Sequence, residues 1–230
     1  MGKLYYVRHG QTPFNVRNQQ WHDVGDPEDQ RGFQFGMEFV DPPLNQVGQQ
    51  QILKNKSEIQ SLNVDLVYVS PMLRTLQTCN LLFEDALLKP KIVVNPFVIE
   101  WIHVNHDVPA WPNNHRAQFP DYDWSLMPED YFIKTVSTSR HTERLNPECY
   151  TESLLKIMHE IYPEVFESRA ELYRRAKSVK EKLRDEIKDK DILIVGHSAF
   201  YRHLTSEMVN ELTFINEKLL KNGEYCEIEY

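Results

Sequence analysis

Residues 4–10 read Leu-Tyr-Tyr-Val-Arg-His-Gly, and residues 192–198 read Ile-Leu-Ile-Val-Gly-His-Ser. Each stretch begins with an apolar run of the length of a buried strand, and each leads into a histidine, His9 or His197. Parallel strands gather their reactive side chains at their carboxyl ends. We therefore predict that the two histidines face each other across one crevice at the edge of a sheet.

A third stretch of the same kind lies between them. Residues 70–75 read Ser-Pro-Met-Leu-Arg-Thr and directly follow the apolar run of residues 66–69. Its Arg74 then joins Arg8, His9 and His197 at the same sheet edge. Two guanidinium groups and two imidazoles in one place predict an anion-binding site that contains a nucleophile.

The rest of the pattern alternates between strands and helices, which predicts an α/β fold with a mostly parallel sheet and helices on both faces. The predicted strands are residues 3–7, 66–69, 92–94 and 192–195, with an edge strand over 226–230. The predicted helices are residues 46–62, capped by Asn45, then 72–83, 168–188 and one after His197. The charge run over residues 169–189 is predicted to be a solvated helix face. We expect one domain over residues 1–230, with residues 101–164 as an insertion, or lid, over the crevice.

The composition indicates which binding partners and which cellular compartment to expect. The chain has 230 residues, 41% of them hydrophobic, and a formal net charge of −8, which disfavours nucleic acid as a partner. The apolar runs are too short to span a membrane, and no secretory signal precedes the first strand. Scattered Cys79, Cys149 and Cys226 fit reduced thiols of a cytoplasmic protein. A monomer and a homodimer both remain open.

The motifs resemble the histidine phosphatase (phosphoglycerate mutase-like) superfamily. They occur in the family's order, and the resemblance covers most of residues 3–100 and 165–204. The segment 107–127 is similar to a eukaryotic phosphomutase-like branch. The matching residues are Arg8-His9-Gly10-Gln11-Thr12 with Asn15, Pro43-Leu44-Asn45 with Gly48, Ser70-Pro71 through Arg74 to Gln77-Thr78, and Gly196-His197-Ser198. The resemblance implies a phosphoglycerate mutase-like fold and chemistry without a metal or cofactor.

The residue types suit phosphoryl transfer. A neutral imidazole is not repelled by a phosphate ester and forms an N–P bond that breaks again, so we assign His9 as the nucleophile. The planar forks of Arg8 and Arg74 match phosphate geometry and stay charged, and His197 is expected as a third donor. Further hydrogen bonds to the substrate are expected from Gly10, Thr12, Asn15 and Ser198.

The leaving alkoxide needs a general acid. The resemblance places this group at Glu100, which follows the apolar segment 95–99; Asp107 is the alternative. We expect His103 and Arg116 to line the pocket mouth and select the substrate. His103, His106 and Asp107 have a spacing that invites a metal site, but the segment is irregular and offers no obvious further ligand, so no metal is expected.

The sequence after Glu100 separates hydrolase from mutase. Glycolytic mutases of the family resembled carry Arg-x-Tyr-Gly there, whereas this chain reads Trp-Ile-His-Val over residues 101–104. We therefore expect a phosphomonoesterase that acts on a small phosphorylated metabolite through a phosphohistidine. The alternatives are a phosphomutase, a phosphoprotein phosphatase and a non-catalytic sensor of a phosphorylated ligand.

Overall fold

A computed structural model describes residues 2–25, 36–102, 104–108, 112–127, 167–210 and 213–229. Its main element is a five-stranded sheet. The strands are β1 (Leu4–Arg8), β2 (Leu66–Val69), β3 (Lys91–Val94), β4 (Ile192–Gly196) and β7 (Tyr225–Ile228), in the order β3-β2-β4-β1-β7. A separate two-stranded ribbon pairs β5 (Glu207–Asn210) with β6 (Thr213–Ile215).

The central strands are parallel, and this sets which residues meet at the sheet edge. β1 pairs with β4 so that Arg8 lies opposite Gly196, and β4 pairs with β2 so that Val195 lies opposite Val69. β7 runs antiparallel to β1 and closes that side of the sheet. The carboxyl ends of β1, β4 and β2 are therefore neighbours.

Side chains alternate along each strand, so both faces of the sheet carry apolar groups, and helices cover both faces. On one face, Val7 and Val195 pack with Ile52 and Leu76. On the other face, Tyr6 and Ile194 pack with Leu172 and Phe200. The helices are α1 (Pro13–Val24), α2 (Gln46–Ser61), α3 (Leu73–Phe83), α4 (Pro112–Gln118), α5 (Arg169–Glu186) and α6 (Ser198–Thr205). The predicted α/β class is confirmed.

The helix starts follow their capping signals. The Asn45 side chain accepts a hydrogen bond from the backbone N–H of Gly48 at the start of α2, as predicted, and Ser168 forms a capping box with Glu171 at the start of α5. Helix α1 and the β5–β6 ribbon were not predicted, and the edge strand begins one residue earlier than expected. No helix within the described ranges is long and apolar enough to cross a membrane.

Most of the expected insertion over residues 101–164 lies outside the described residues. The described parts are residues 101–102, 104–108 and 112–127. Several of their side chains, including Ile102, Phe119 and Met127, belong to the same core as α2 and α3. A bridge between Val93 and Asp123 ties this region to β3. These parts therefore contribute to the core of the domain.

Candidate active site

Three strand ends bring the predicted site residues together. The backbone N–H of His9 donates to the carbonyl of Gly196 at 3.0 Å, and that of Ser70 donates to the carbonyl of Val195 at 3.1 Å. The motif after β1, the motif after β2 and the motif after β4 therefore lie side by side. Arg74 follows in the first turn of α3.

The His9 ring is held in one orientation and one tautomer. Its Nδ1 lies 2.7 Å from the Gly10 carbonyl; because a carbonyl only accepts, Nδ1 carries the proton and Nε2 keeps its lone pair. The residue is 4% exposed. Burial lowers the pKa of His9 well below its usual value, and the charges of Arg74 and Arg8 lower it further. His9 is therefore a neutral imidazole with a free Nε2 at neutral pH.

Two guanidinium groups line the same cavity as this ring, that of the buried Arg74 and that of the half-buried Arg8. Arg8 donates from Nη1 to the Leu220 carbonyl at 2.8 Å, and burial lowers its pKa. Arg74 is 1% exposed, donates from Nη1 to the His106 carbonyl at 2.8 Å and pairs with Asp107 at 3.3 Å. A planar guanidinium held by backbone carbonyls is preorganised to bind phosphoryl oxygens with its remaining donors.

His197 lies behind the His9 ring. Its ring centroid is 5.3 Å from that of His9, edge to face, and its Nε2 is 2.7 Å from the Ser70 hydroxyl. Its backbone N–H donates to the Tyr6 hydroxyl at 2.7 Å, and that hydroxyl donates to the His197 carbonyl at 2.9 Å. Burial and the Arg74 charge lower the His197 pKa. The residue is fully buried, so in this conformation it supports His9 instead of facing the cavity.

Glu100 lies on the cavity wall and is bound by backbone amides. Its Oε1 accepts from Trp101 and Phe200 at 3.0 Å, and its Oε2 accepts from Ala199 at 3.1 Å. Two of these amides belong to the first turn of α6. Burial raises the pKa of Glu100, and the nearby Asp107 raises it further. The geometry thus presents a carboxyl group that holds a proton to higher pH than a solvated one.

A cavity of about 290 Å³ contains these groups. Arg8, His9, Arg74 and Glu100 line it, and so does the His106 ring, which stacks on Phe14 at 3.5 Å. The other lining residues are Asn15, Asn18, Trp101, Val104, Arg169, Ser198, Ala199, Arg202, His203 and Leu219. Four of the lining residues are arginines and one is a carboxylate, in a chain of net charge −8. The cavity is therefore a local anion site.

The expected hydrogen-bonding residues divide into two groups. Asn15 and Ser198 line the cavity. Thr12 is buried as the N-terminal cap of α1, where its hydroxyl accepts a hydrogen bond from the backbone N–H of Asn15 at 3.2 Å. The Gly10 N–H donates to Thr78 at 3.3 Å; a Cβ on Gly10 would lie 2.4 Å from the Gly48 carbonyl oxygen. The structure thus gives Thr12 and Gly10 packing and capping roles away from the cavity wall.

Of the two residues expected at the pocket mouth, Arg116 lies away from the cavity and His103 is not described. The Arg116 guanidinium donates to the Met127 carbonyl and lies 5.7 Å from the Trp124 ring centroid, so it holds the 112–127 segment and does not line the cavity of His9. His103 lies outside the described residues. Asp107 is fully buried against Arg74, whereas Glu100 reaches the cavity. Among the described side chains no cluster is placed to hold a metal ion.

Several residues of the site were not predicted from the sequence, and three of them are polar or charged groups with a clear place in it. Asn222 donates from its side chain to the His9 carbonyl at 3.1 Å and to Asn15 Oδ1 at 3.2 Å, and it carries no signal in the sequence. Arg202 and Arg169 both line the cavity. Arg169 begins the charge run that we predicted to be solvated throughout, so that prediction was wrong at its first residue.

Comparison with known proteins agrees with this geometry. The chain matches the histidine phosphatase superfamily (branch 1) over residues 4–124 and 135–230, and it belongs to that family. A Schizosaccharomyces pombe protein named "Probable phosphatase" is 30% identical over 133 residues, which is 55% of this chain and 54% of that protein. The chain thus aligns with about half the length of this curated relative.

Two solved structures are similar to this chain, and the first shares its fold. Bacillus stearothermophilus YhfR is 17% identical, with a TM-score of 0.57 over 100% of this chain and 91% of that one. A phosphoglycerate mutase from Thermus thermophilus is 18% identical, with a TM-score of 0.49 over 99% and 93%. The first likeness establishes a shared fold.

Proposed function

We propose that this protein is a phosphomonoesterase that transfers the phosphoryl group of a small phosphorylated metabolite to His9 and then to water. The observation that carries the proposal is the neutral, oriented His9 ring, whose Nε2 is left unprotonated by the contact of Nδ1 with the Gly10 carbonyl. It lines a cavity of about 290 Å³ together with Arg8 and Arg74. A cavity of this volume suits a small ester better than a folded phosphoprotein.

In the first step, His9 Nε2 attacks phosphorus in line and forms an N–P bond while the P–O bond to the alcohol breaks. Arg8 and Arg74 hold the equatorial oxygens, where charge is spread in the transition state. The departing alkoxide takes a proton from Glu100, whose raised pKa favours the acid form. The products of this step are the free alcohol, phosphohistidine and the Glu100 carboxylate.

In the second step, the Glu100 carboxylate takes a proton from water as the water oxygen attacks phosphorus. The N–P bond breaks, its electron pair returns to His9 Nε2, and inorganic phosphate leaves. The hydrogen bonds from Trp101, Ala199 and Phe200 keep the carboxyl group in place through both steps. Asp107 is less suited to this role because it is buried against Arg74.

The test is phosphate release from p-nitrophenyl phosphate by the wild type and by His9→Ala, with a chelator present. We expect chelator-resistant release that is lost in His9→Ala. Brief incubation with phosphorus-labelled ester should also leave an acid-labile, alkali-stable label on the wild type alone. Labelling without phosphate release would favour a phosphomutase, and tight ester binding without labelling would favour a sensor. Higher turnover of phosphopeptides than of small esters would favour a phosphoprotein phosphatase.

A further inference from the structure

The cavity holds more positive charge than one phosphoryl group requires. Arg8 and Arg74 already flank His9, and Arg169 and Arg202 line the same cavity from other elements. Arg169 is the first residue of α5, and Arg202 lies in α6. Two arginines are a sufficient set for the oxygens of a transferred phosphoryl group, so the second pair needs a different explanation.

Arg169 is held in place by an aromatic side chain of the cavity. Its guanidinium carbon lies 5.2 Å from the ring centroid of Trp101. The Trp101 indole is itself fixed, because its Nε1–H donates to the Glu167 carbonyl at 2.5 Å. A cation stacked on a fixed ring loses little further side-chain entropy when it binds an anion.

Arg202 is held in a similar way from the other helix. Its guanidinium carbon lies 4.3 Å from the Phe214 ring centroid, and its Nε lies 2.9 Å from Glu217. The two arginines act on a common neighbour: burial lowers the pKa of His203, and the charges of Arg202 and Arg169 lower it further. His203 also lines the cavity, so both guanidinium groups and this imidazole border one space.

We propose that Arg169 and Arg202 form a second anion subsite, and that the substrate is a small phosphomonoester bearing another anionic group, a carboxylate or a second phosphate. The esterified phosphoryl group would sit at His9 between Arg8 and Arg74. The second anionic group would bind Arg169 and Arg202. The choice of which end of the ligand reacts rests on the proposed function. The binding preference can be tested without turnover.

The binding test uses three phosphonates that contain no P–O–C ester bond to cleave: propylphosphonate, 3-phosphonopropionate and propane-1,3-diphosphonate. We expect calorimetry on the wild type to show about tenfold tighter binding of at least one two-anion ligand, the gain of one charge-assisted contact. Preference for 3-phosphonopropionate identifies a carboxylate, and preference for the diphosphonate identifies a phosphate. Equal affinities for all three, or no binding of either two-anion ligand, would overturn the subsite.

Variants assign the preference to these residues. Arg169→Gln should remove most of the preference, and Arg169→Lys should retain much of it because the charge remains. The matched control is Arg174→Gln, an exposed arginine on the same helix, which should keep the full preference. Glu217→Gln should act in the opposite direction and strengthen two-anion binding, because it removes the carboxylate that competes for Arg202. A preference that survives both Arg169→Gln and Arg202→Gln contradicts the assignment.

Turnover separates the two proposals. If esters with and without a second anionic group release phosphate at equal kcat/KM, the phosphomonoesterase stands and the subsite fails. If no ester releases phosphate but two-anion phosphonates still bind tighter through Arg169, the subsite stands and the hydrolytic function fails.

Discussion

Replacement of Glu100 by glutamine tests the proposed acid through the leaving group. The side chain keeps its size, and its remaining oxygen can still accept from Trp101 and Phe200, as Oε1 does now. The new amide nitrogen then faces the Ala199 N–H, which loses its acceptor. Leaving this donor without a partner costs about 1–3 kcal/mol, which is less than a typical domain stability of about 5–15 kcal/mol. We therefore expect a folded variant.

The kinetic effect should depend on the alcohol. A positioned general acid contributes about 100- to 10,000-fold, and we expect a loss of that size for an alkyl phosphate, whose alkoxide needs the proton. For p-nitrophenyl phosphate, whose leaving group is stable without a proton, the loss in the phosphorylation step should stay under about tenfold. The assay is kcat/KM across a series of aryl and alkyl esters. Asp107→Asn is the comparison, because Asp107 pairs with Arg74 and its loss should affect all esters alike.

The pH profile gives an independent readout of the same residue. Burial lowers the pKa of His9, so the nucleophile stays neutral well into the acid range. Burial raises the pKa of Glu100, so the acid stays protonated to higher pH than an exposed glutamate. Alkyl phosphate turnover should therefore fall as pH rises through the pKa of Glu100, and this alkaline limb should be absent in Glu100→Gln. An equal loss for every leaving group, with the limb unchanged, would refute the assignment of Glu100.

Three further predictions concern the support of the site. Tyr6→Phe removes the hydroxyl that binds both backbone groups of His197 and should destabilise the fold by about 1–3 kcal/mol in urea unfolding; an unchanged midpoint would contradict it. Gly10→Ala places a Cβ 2.4 Å from the Gly48 carbonyl oxygen and should sharply lower the yield of folded protein, measured by circular dichroism. Inorganic phosphate at 100 times its Kd for the wild type should stabilise the wild type by about 2.7 kcal/mol in thermal unfolding. The same phosphate concentration should stabilise Arg8→Gln much less.

The sequence predicted well the sheet and the meeting of Arg8, His9 and Arg74 at its edge, because both depend on short-range pattern. An apolar run that ends in Arg8-His9 or in Gly196-His197 is a buried strand, and parallel pairing then brings its end to the common edge. The helix cap at Asn45 could also be predicted from the sequence. Thr12 was misread for a related reason: a threonine, a proline and Asn15 at this spacing are a helix-start signal, and the structure uses them to cap α1.

The rest could not be predicted, because it depends on how helices pack. Whether Arg169 faces solvent or the cavity is decided by the rotation of α5 against Trp101, and the charge pattern of the helix does not contain that rotation. Asn222 reaches His9 only because β7 returns beside β1. Such contacts join residues distant in sequence, so no local pattern indicates them.

In the proposed mechanism, Arg8 and Arg74 affect His9 differently before and after the substrate binds. In the free protein, Arg74 and Arg8 lower the pKa of His9 and keep its Nε2 unprotonated. A phosphoryl dianion offsets their charge, so the positive charge that develops on the imidazole as the N–P bond forms meets less repulsion than it would in the free site. In the proposed mechanism the same two arginines thus serve both requirements: a neutral nucleophile at the start and a tolerated cationic phosphoimidazole later. It follows that the doubly ionised ester should bind and react better than the monoanion, since only the dianion offsets both guanidinium charges.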